Sequence, residues 1–420
     1  MRLGGSSVAR RLLLPWVLAS CLVANAASQT HPARAASAFR GNAQHTGAFD
    51  APGVPQLNGL AWKFRVEGRG GAPPAVADDI VCAGRGVYPG LVAVNARTGQ
   101  KLWEFASGVY AASPVVEDGA VFAAYGNGGK EIDGFRGGFR AIDLKTGKEK
   151  WNRRTTSDTE RNSPTVHAGT VYLVSHDAVV WALDARTGKE KWQFRFLDEA
   201  APMVTSPTLD NGTIYFGAAG HYQGKNAKPY LYAVDAETGR EKWKVSIPSE
   251  PGRSTSGSVK MLDAPAVAQN TIYLGSDSNR LYALDAKSGA LKWSFEAGGR
   301  VTSPAVGEGL VFFGSNDRFL HALDSLTGRE KWKIATDGNG VSVPSVARGV
   351  VYFGGGATPK TGLGNYVYAV DAASGAVKWK FETDQPSPGR PNMERWPISA
   401  PTIVGDSLYF TCWTMAYRLR

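Results

Sequence analysis

The chain has 420 residues, 43% of them hydrophobic and 20% charged, and a formal net charge of +10. That apolar content excludes a disordered polymer, three cysteines exclude a disulfide framework, and a single apolar run near the N-terminus excludes a bundle of membrane helices. A basic balance suits anionic lipid heads, lipopolysaccharide or acidic polysaccharide, but the cations are spread over repeated turns such as Lys145-Thr146-Gly147-Lys148, which reads as solubility.

Arg2, Arg10 and Arg11 precede the apolar run Leu12 to Val23, and small residues follow, which predicts a secretory signal peptide over residues 1–26. Two cleavage readings stand side by side. Ala24-Asn25-Ala26 suits an ordinary signal peptidase and gives a soluble chain from Ala27. Leu18-Ala19-Ser20-Cys21 resembles a bacterial lipobox, which makes Cys21 the lipidation candidate and places the chain at the outer membrane. Either reading exports the protein to the periplasm, which excludes cytosolic roles, genomic DNA binding among them. Removing the signal takes three arginines and no acid, so +10 becomes +7. Residues 27–58 read as a tether and lead-in, and 59–420 as one repeat domain.

Eight tryptophans mark the repeat: Trp62, Trp103, Trp151, Trp192, Trp243, Trp293, Trp332 and Trp379. Their spacing, 39 to 51 residues, with four short runs rich in β-branched and aromatic residues per copy, predicts propeller blades of four antiparallel strands, A to D. In the clean copy these are Pro304-Ala305-Val306, Leu310 to Gly314, Phe319 to Asp324 and Glu330 to Ile334. Between strands C and D a turn of the type Asp324-Ser325-Leu326-Thr327-Gly328 recurs seven times. Its Asp and Thr side chains can bond nearby amides, and its Gly takes the positive φ that closes the turn. The Trp that follows is expected to wedge between blades and to need a partner for its N–H.

Seven turns against eight Trp strands predict the closure. The last copy reaches Ala416-Tyr417-Arg418-Leu419 without a fourth strand, while Leu60 to Val66 is a surplus Trp strand at the other end. The expected fold is therefore all-β, an eight-bladed propeller whose ring is closed by its N-terminal strand, leaving no free sheet edges at the chain ends. Closure makes blades one and eight neighbours and brings Cys82 and Cys412 near each other. Their repeat positions differ by about three residues, so they read as two buried thiols, with a bridge as the alternative. A Pro opens each strand A, from Pro74 to Pro401, as suits an innermost strand with a free edge.

Repeats such as Leu231-Tyr232-Ala233-Val234-Asp235-Ala236-Glu237-Thr238-Gly239-Arg240-Glu241-Lys242-Trp243 closely resemble the pyrroloquinoline-quinone-type (PQQ-like) propeller repeat, over nearly the whole mature chain. Phe39-Arg40-Gly41-Asn42-Ala43-Gln44-His45-Thr46-Gly47 looks like the lead-in of exported, BamB-like members of this group. The resemblance implies the fold and leaves the job open, because quinone-dependent dehydrogenases, the assembly lipoprotein BamB and other envelope proteins share the repeat.

A dehydrogenase of this kind implies PQQ, a calcium ion, a catalytic Asp and often a vicinal disulfide. The chain has no Cys-Cys pair and lacks the large insertions that cap such sites, and Glu160, Asp198, Glu199, Asp263 and Glu394 form no recognisable calcium set. The histidines show no metal-ligand spacing, and His321, where the repeat usually has Tyr, reads as a packed strand residue. No catalytic residue, metal or cofactor is therefore assigned. The expectation is a non-catalytic scaffold or assembly factor of the cell envelope, with a PQQ-dependent dehydrogenase of an alcohol or sugar as the alternative. Partners are expected among envelope proteins, on the face that carries the long B–C and D–A loops. Trp396 and Arg395, bracketed by prolines, are the expected anchors, with Tyr222 and Arg136 as supports. Arg161 and Arg300, just before their strand A prolines, point to the channel mouth as a conceivable site for a small anion.

Overall fold

A computed structural model describes residues 39–66, 72–110, 112–127, 130–159, 161–196, 203–219, 229–248, 263–337, 340–355, 365–384 and 398–420. Eight blades of antiparallel strands form the ring. The inner strands A are Ala75–Ala77, Val115–Glu117, Thr165–His167, Thr208–Asp210, Ala266–Ala268, Ala305–Gly307, Ser345–Ala347 and Thr402–Val404, for blades one to eight. Strands B and C are buried almost throughout, as in Thr271–Gly275 and Arg280–Asp285, whereas D strands such as Leu291–Glu296 alternate between exposed and half-buried. Sheet-on-sheet burial between blades therefore supplies the core, and each blade depends on its neighbours.

The repeated turn holds as its chemistry predicts. In blade four, Asp235 Oδ1 accepts the amides of Glu237 and Thr238 and the Thr238 hydroxyl, while Gly239 N donates to the Asp235 carbonyl. The next strand begins with a bulge at Lys242, which frees its ammonium to reach Asp235 Oδ2 at 3.1 Å and Thr213 Oγ1 at 2.8 Å. Equivalent Lys–Asp pairs recur at Lys150–Asp143, Lys292–Asp285, Lys331–Asp324 and Lys378–Asp371, so much of the basic rim is neutralised within its own turn.

The tryptophans wedge between blades. Trp103, Trp151, Trp192, Trp293 and Trp332 donate from Nε1 to the carbonyl just after the turn Asp of the next blade: Leu144, Ala185, Ala236, Ser325 and Ala372. Trp62 does the same to Ala96 of blade one at 2.8 Å, across the closure. Strand Leu60–Arg65 pairs antiparallel with Met415–Leu419, with Phe64 opposite Ala416, and so completes blade eight. Blade eight has no C–D turn, and Trp379 of blade seven finds a substitute acceptor in the Val54 carbonyl at 2.7 Å. The amide of Val54 in turn donates to the Tyr352 hydroxyl. A stretch of the lead-in thus stands where the other blades place a turn. Cys82 and Cys412 are both buried and unbridged, and burial pushes each thiol up to about 12.

Candidate functional site at the channel axis and loop face

The axis is built from the inner strands, whose inward edge lacks a strand partner within the blade. Hydroxyls stitch neighbouring blades there. Thr165 donates to the Pro207 carbonyl, Thr208 to Pro265, Ser345 to Pro401 and Thr402 to Pro74. The strand A prolines thus contribute their carbonyls as well as lacking an N–H.

Residues 43–49 lie along these strands on the side of the A–B turns. The carbonyls of Ala43, Gln44, Thr46 and Gly47 accept the amides of Leu209, Val267, Val306 and Val346, the free inner edges of blades four to seven. Phe49 N donates back to Val346, and Gly53 N reaches the Gly405 carbonyl of blade eight. His45 is 1% exposed, with its ring nitrogens 3.1 Å from Thr165 Oγ1 and 2.9 Å from Thr208 Oγ1, and burial followed by the nearby Arg40 charge holds its pKa well below the ordinary value. The His45 imidazole therefore spans blades three and four.

Arg40 is buried in the same layer and donates from Nη2 to the Pro304 carbonyl. At blade five the stitching residue is Ala266, which has no hydroxyl, and the guanidinium supplies the missing donor. On the loop side, Arg300 Nη2 pairs with Asp263 Oδ1 at 2.9 Å, and the Asp263 charge raises the Arg300 pKa more than burial lowers it. Arg161 is exposed.

Of the expected partner residues, Trp396, Arg395 and Tyr222 lie outside the described residues, as do Cys21, Glu160, Asp198, Glu199 and Glu394. Arg136 is exposed on the B–C connection of blade two. Its amide donates to the Thr155 carbonyl, and its Nε lies 3.6 Å from Glu131. Beside it Phe135 sits under the Arg154 guanidinium, and Ile132 is 54% exposed at the tip. This connection is a small folded hairpin, held by the Ile132–Phe135 bridge, that presents an apolar tip next to a cation.

The short-turn face is less uniform than its repeated sequence implies. A cleft of about 630 Å³ opens there between blades three and four, lined among others by Gln44, His167, Lys191, Asp210, Asp235 and Lys242. Sequence reasoning missed it because one wall is the lead-in. Among the described residues no three His, Cys, Asp or Glu side chains converge as metal ligands. No helix of the described residues is long and apolar enough to cross a membrane.

His321 is packed, as expected, 2% exposed and stacked on Phe313 with centroids 4.9 Å apart. Its nitrogens face Glu330 at 2.7 Å and Asp317 at 3.0 Å. Burial opposes ionisation of Asp317, but hydrogen bonds from His321, Phe319 N and Gly298 N outweigh it and hold the carboxyl at about 2. A carboxyl depressed on folding stabilises above its unfolded pKa, near 3.8, and loses that contribution as pH falls toward 2. Asp317→Asn is therefore expected to lose about 2 kcal/mol at pH 7 and roughly half as much at pH 3, read by paired denaturant titrations. An equal loss at both values would show that the carboxylate charge is not what stabilises.

The ring geometry, repeated turn and Trp wedge define an eight-bladed propeller of PQQ-like repeats, with its lead-in laid along the inner strands. Residues 54–160, 134–264 and 227–412 match the family described as Outer membrane protein assembly factor BamB, and the chain belongs to that family. It is 30% identical over 227 residues to the outer membrane protein assembly factor BamB of Yersinia pestis, covering 51% of this chain and 50% of that protein. It is also 27% identical over 274 residues to the quinohemoprotein alcohol dehydrogenase of Comamonas testosteroni, covering 57% of this chain and 32% of the enzyme. The chain thus aligns with half or less of the length of these two relatives. The crystal structure of BamB from Moraxella catarrhalis superposes with a TM-score of 0.63 at 16% identity, over 86% of this chain and 99% of that one. The Comamonas dehydrogenase superposes with a TM-score of 0.66 at 15% identity, over 92% and 80%. Likenesses at such identity carry the fold alone, and they are equally good for both classes.

Proposed function

We propose that this chain is a non-catalytic, exported propeller that serves as a binding scaffold or assembly factor in the bacterial cell envelope. The observation that supports this is the family match, which runs from residue 54 to residue 412 under an assembly-factor description. In this reading residues 1–26 are the signal peptide, Cys21 is the lipidation candidate, 27–58 the tether and lead-in, and 59–420 the ring. Envelope proteins dock on the long-loop face, with Trp396 and Arg395 as anchors and Tyr222 and Arg136 as supports. The exposed Ile132 beside Arg136 adds an apolar contact of the kind such faces use.

The test is a pull-down from detergent-solubilised envelope, followed by affinity and melting measurements on Trp396→Ala and Arg395→Ala. Each substitution is expected to cost the captured complex about 2 kcal/mol or more while leaving the melting temperature unchanged. Reduced stability with unchanged affinity would overturn the assignment of these anchors. The second reading, a PQQ-dependent dehydrogenase, draws on the alignment with the Comamonas enzyme. Saturable dye reduction with an alcohol or sugar, after reconstitution with PQQ and calcium, would replace the first reading with the second.

A further inference from the structure

The cleft of about 630 Å³ on the short-turn face, between blades three and four, joins an apolar interior to a polar rim. Tyr172, Leu209 and Ala236 are buried in its lining, while His167, Asn211 and Glu237 are exposed at its edge. Two lysines border it, and both are held by their own blades. Lys191 donates to Thr170 Oγ1 at 2.6 Å, and Lys242 donates to Thr213 Oγ1 at 2.8 Å and pairs with Asp235 Oδ2. The other oxygen of Asp235 is taken by the amides of its turn. Two carboxylates are left over. Asp210 accepts a bond from the uncharged Asn211 amide at 2.9 Å, and among the described residues neither Asp210 nor Glu237 forms an ion pair.

The repeat departs from its own pattern at these two positions. Glu237 is the second residue after the turn Asp, where Arg97, Lys145, Arg186 and Lys287 stand in blades one, two, three and five. Asp210 ends strand A of blade four, where Ala77, Ala268, Gly307, Ala347 and Val404 end theirs. Both changes fall on one blade, and both border the cleft. A chain of net charge +10 thus places uncommitted negative charge between turns that carry Arg186 and Lys287. The lead-in completes the wall with Ala43 and Gln44, and the Gln44 amide adds an uncharged acceptor. An apolar interior beneath uncompensated carboxylates matches a long alkyl chain that ends in a cation.

We propose that this cleft takes the side chain of an arginine or lysine from an exposed segment of another protein. The alkyl stem packs against Tyr172, Leu209 and Ala236, and the charged head meets the carboxylates of Asp210 and Glu237. Blade four supplies the charge and the lead-in supplies part of the wall, which no single blade provides alone. The site lies on the face opposite the long loops and is probed with small molecules, so its failure leaves the scaffold reading untouched.

The experiment is saturation-transfer NMR titration of the full chain with N-acetyl-arginine methylamide and N-acetyl-lysine methylamide at constant ionic strength. N-acetyl-citrulline methylamide, nearly the same shape without the charge, is the reference. At least one cation is expected to bind saturably and more tightly than citrulline. Asp210→Asn should weaken that binding roughly two- to fivefold, the range of a partly exposed ion pair. Glu237→Lys, which gives blade four the charge its neighbours carry, replaces attraction by repulsion and should weaken binding roughly fivefold or more. Glu241→Gln removes an exposed acid from strand D of the same blade, outside the cleft lining, and should leave binding unchanged. Glu237→Gln repeats the charge removal without reversal, and melting curves on every variant show that the ring is intact. The proposal is overturned if neither cation saturates the native chain, or if citrulline binds as tightly as arginine. It is also overturned if binding survives Glu237→Lys, or if Glu241→Gln weakens it equally.

Discussion

Replacing Leu60 to Arg65 by a glycine-serine linker of equal length is expected to remove the cooperative unfolding of the whole ring, although these residues precede every complete blade. The strand contributes the outer edge of blade eight, paired from Leu60 opposite Leu419 to Arg65 opposite Met415. It also carries Trp62, 8% exposed, which packs on blade one and bonds the Ala96 carbonyl. Losing a buried Trp side chain alone costs about 3–5 kcal/mol. The linker removes the strand pairing as well and leaves the edge of Met415–Leu419 open to other chains. A lower, broader melting transition with concentration-dependent association is the expected result. Trp62→Ala should give an intermediate loss. A linker variant that melts as the native chain does would mean that the ring is closed by something other than this strand, and the N-terminal contacts at Val54 would be the next candidates.

What the sequence made legible follows from how local the chemistry is. The Asp-to-Gly turn specifies itself within five residues, because Asp235, Thr238 and Gly239 satisfy one another without outside help. The closure was legible by counting, since seven turns and eight Trp strands leave one strand over. The path of the lead-in was not. Its bonds to blades four to seven use backbone carbonyls of Ala43, Gln44, Thr46 and Gly47, which any residue could supply, so no side-chain pattern announces them. The roles of Val54 and Arg40 join positions some 300 residues apart, where no spacing rule reaches. The residue after the strand A proline gives no sign of Arg40's place, since Ala75, Val115 and Ala305 lack a hydroxyl just as Ala266 does. The expected partner anchors rest on composition and loop length, and those signals name residue types without fixing a geometry.

Two glycines of blade three separate the two physical demands placed on the repeated turns. Gly169 and Gly188 have nearly the same backbone, φ +70° and +68°. A Cβ on Gly169, in the A–B turn, would meet nothing within 4 Å, whereas on Gly188, in the C–D turn, it would stand 2.6 Å from Cδ2 of Trp151 in blade two. Gly169→Ala should therefore cost only the left-handed backbone term, about 1–2 kcal/mol. Gly188→Ala carries that term plus overpacking of the Trp wedge, typically 1–3 kcal/mol more, and should melt lower. The Trp ring cannot retreat without weakening its bond from Nε1 to the Ala185 carbonyl at 2.9 Å, so the neighbour has little room to give. Trimming the ring supplies the decisive comparison. In a Trp151→Leu background the steric part vanishes and Gly188→Ala should cost no more than Gly169→Ala, a coupling of about 1–3 kcal/mol in a double-mutant cycle. Equal losses for the two glycines in the native background, or no coupling to Trp151, would mean that the turn glycine is required for its φ alone and that the wedge tolerates an added methyl.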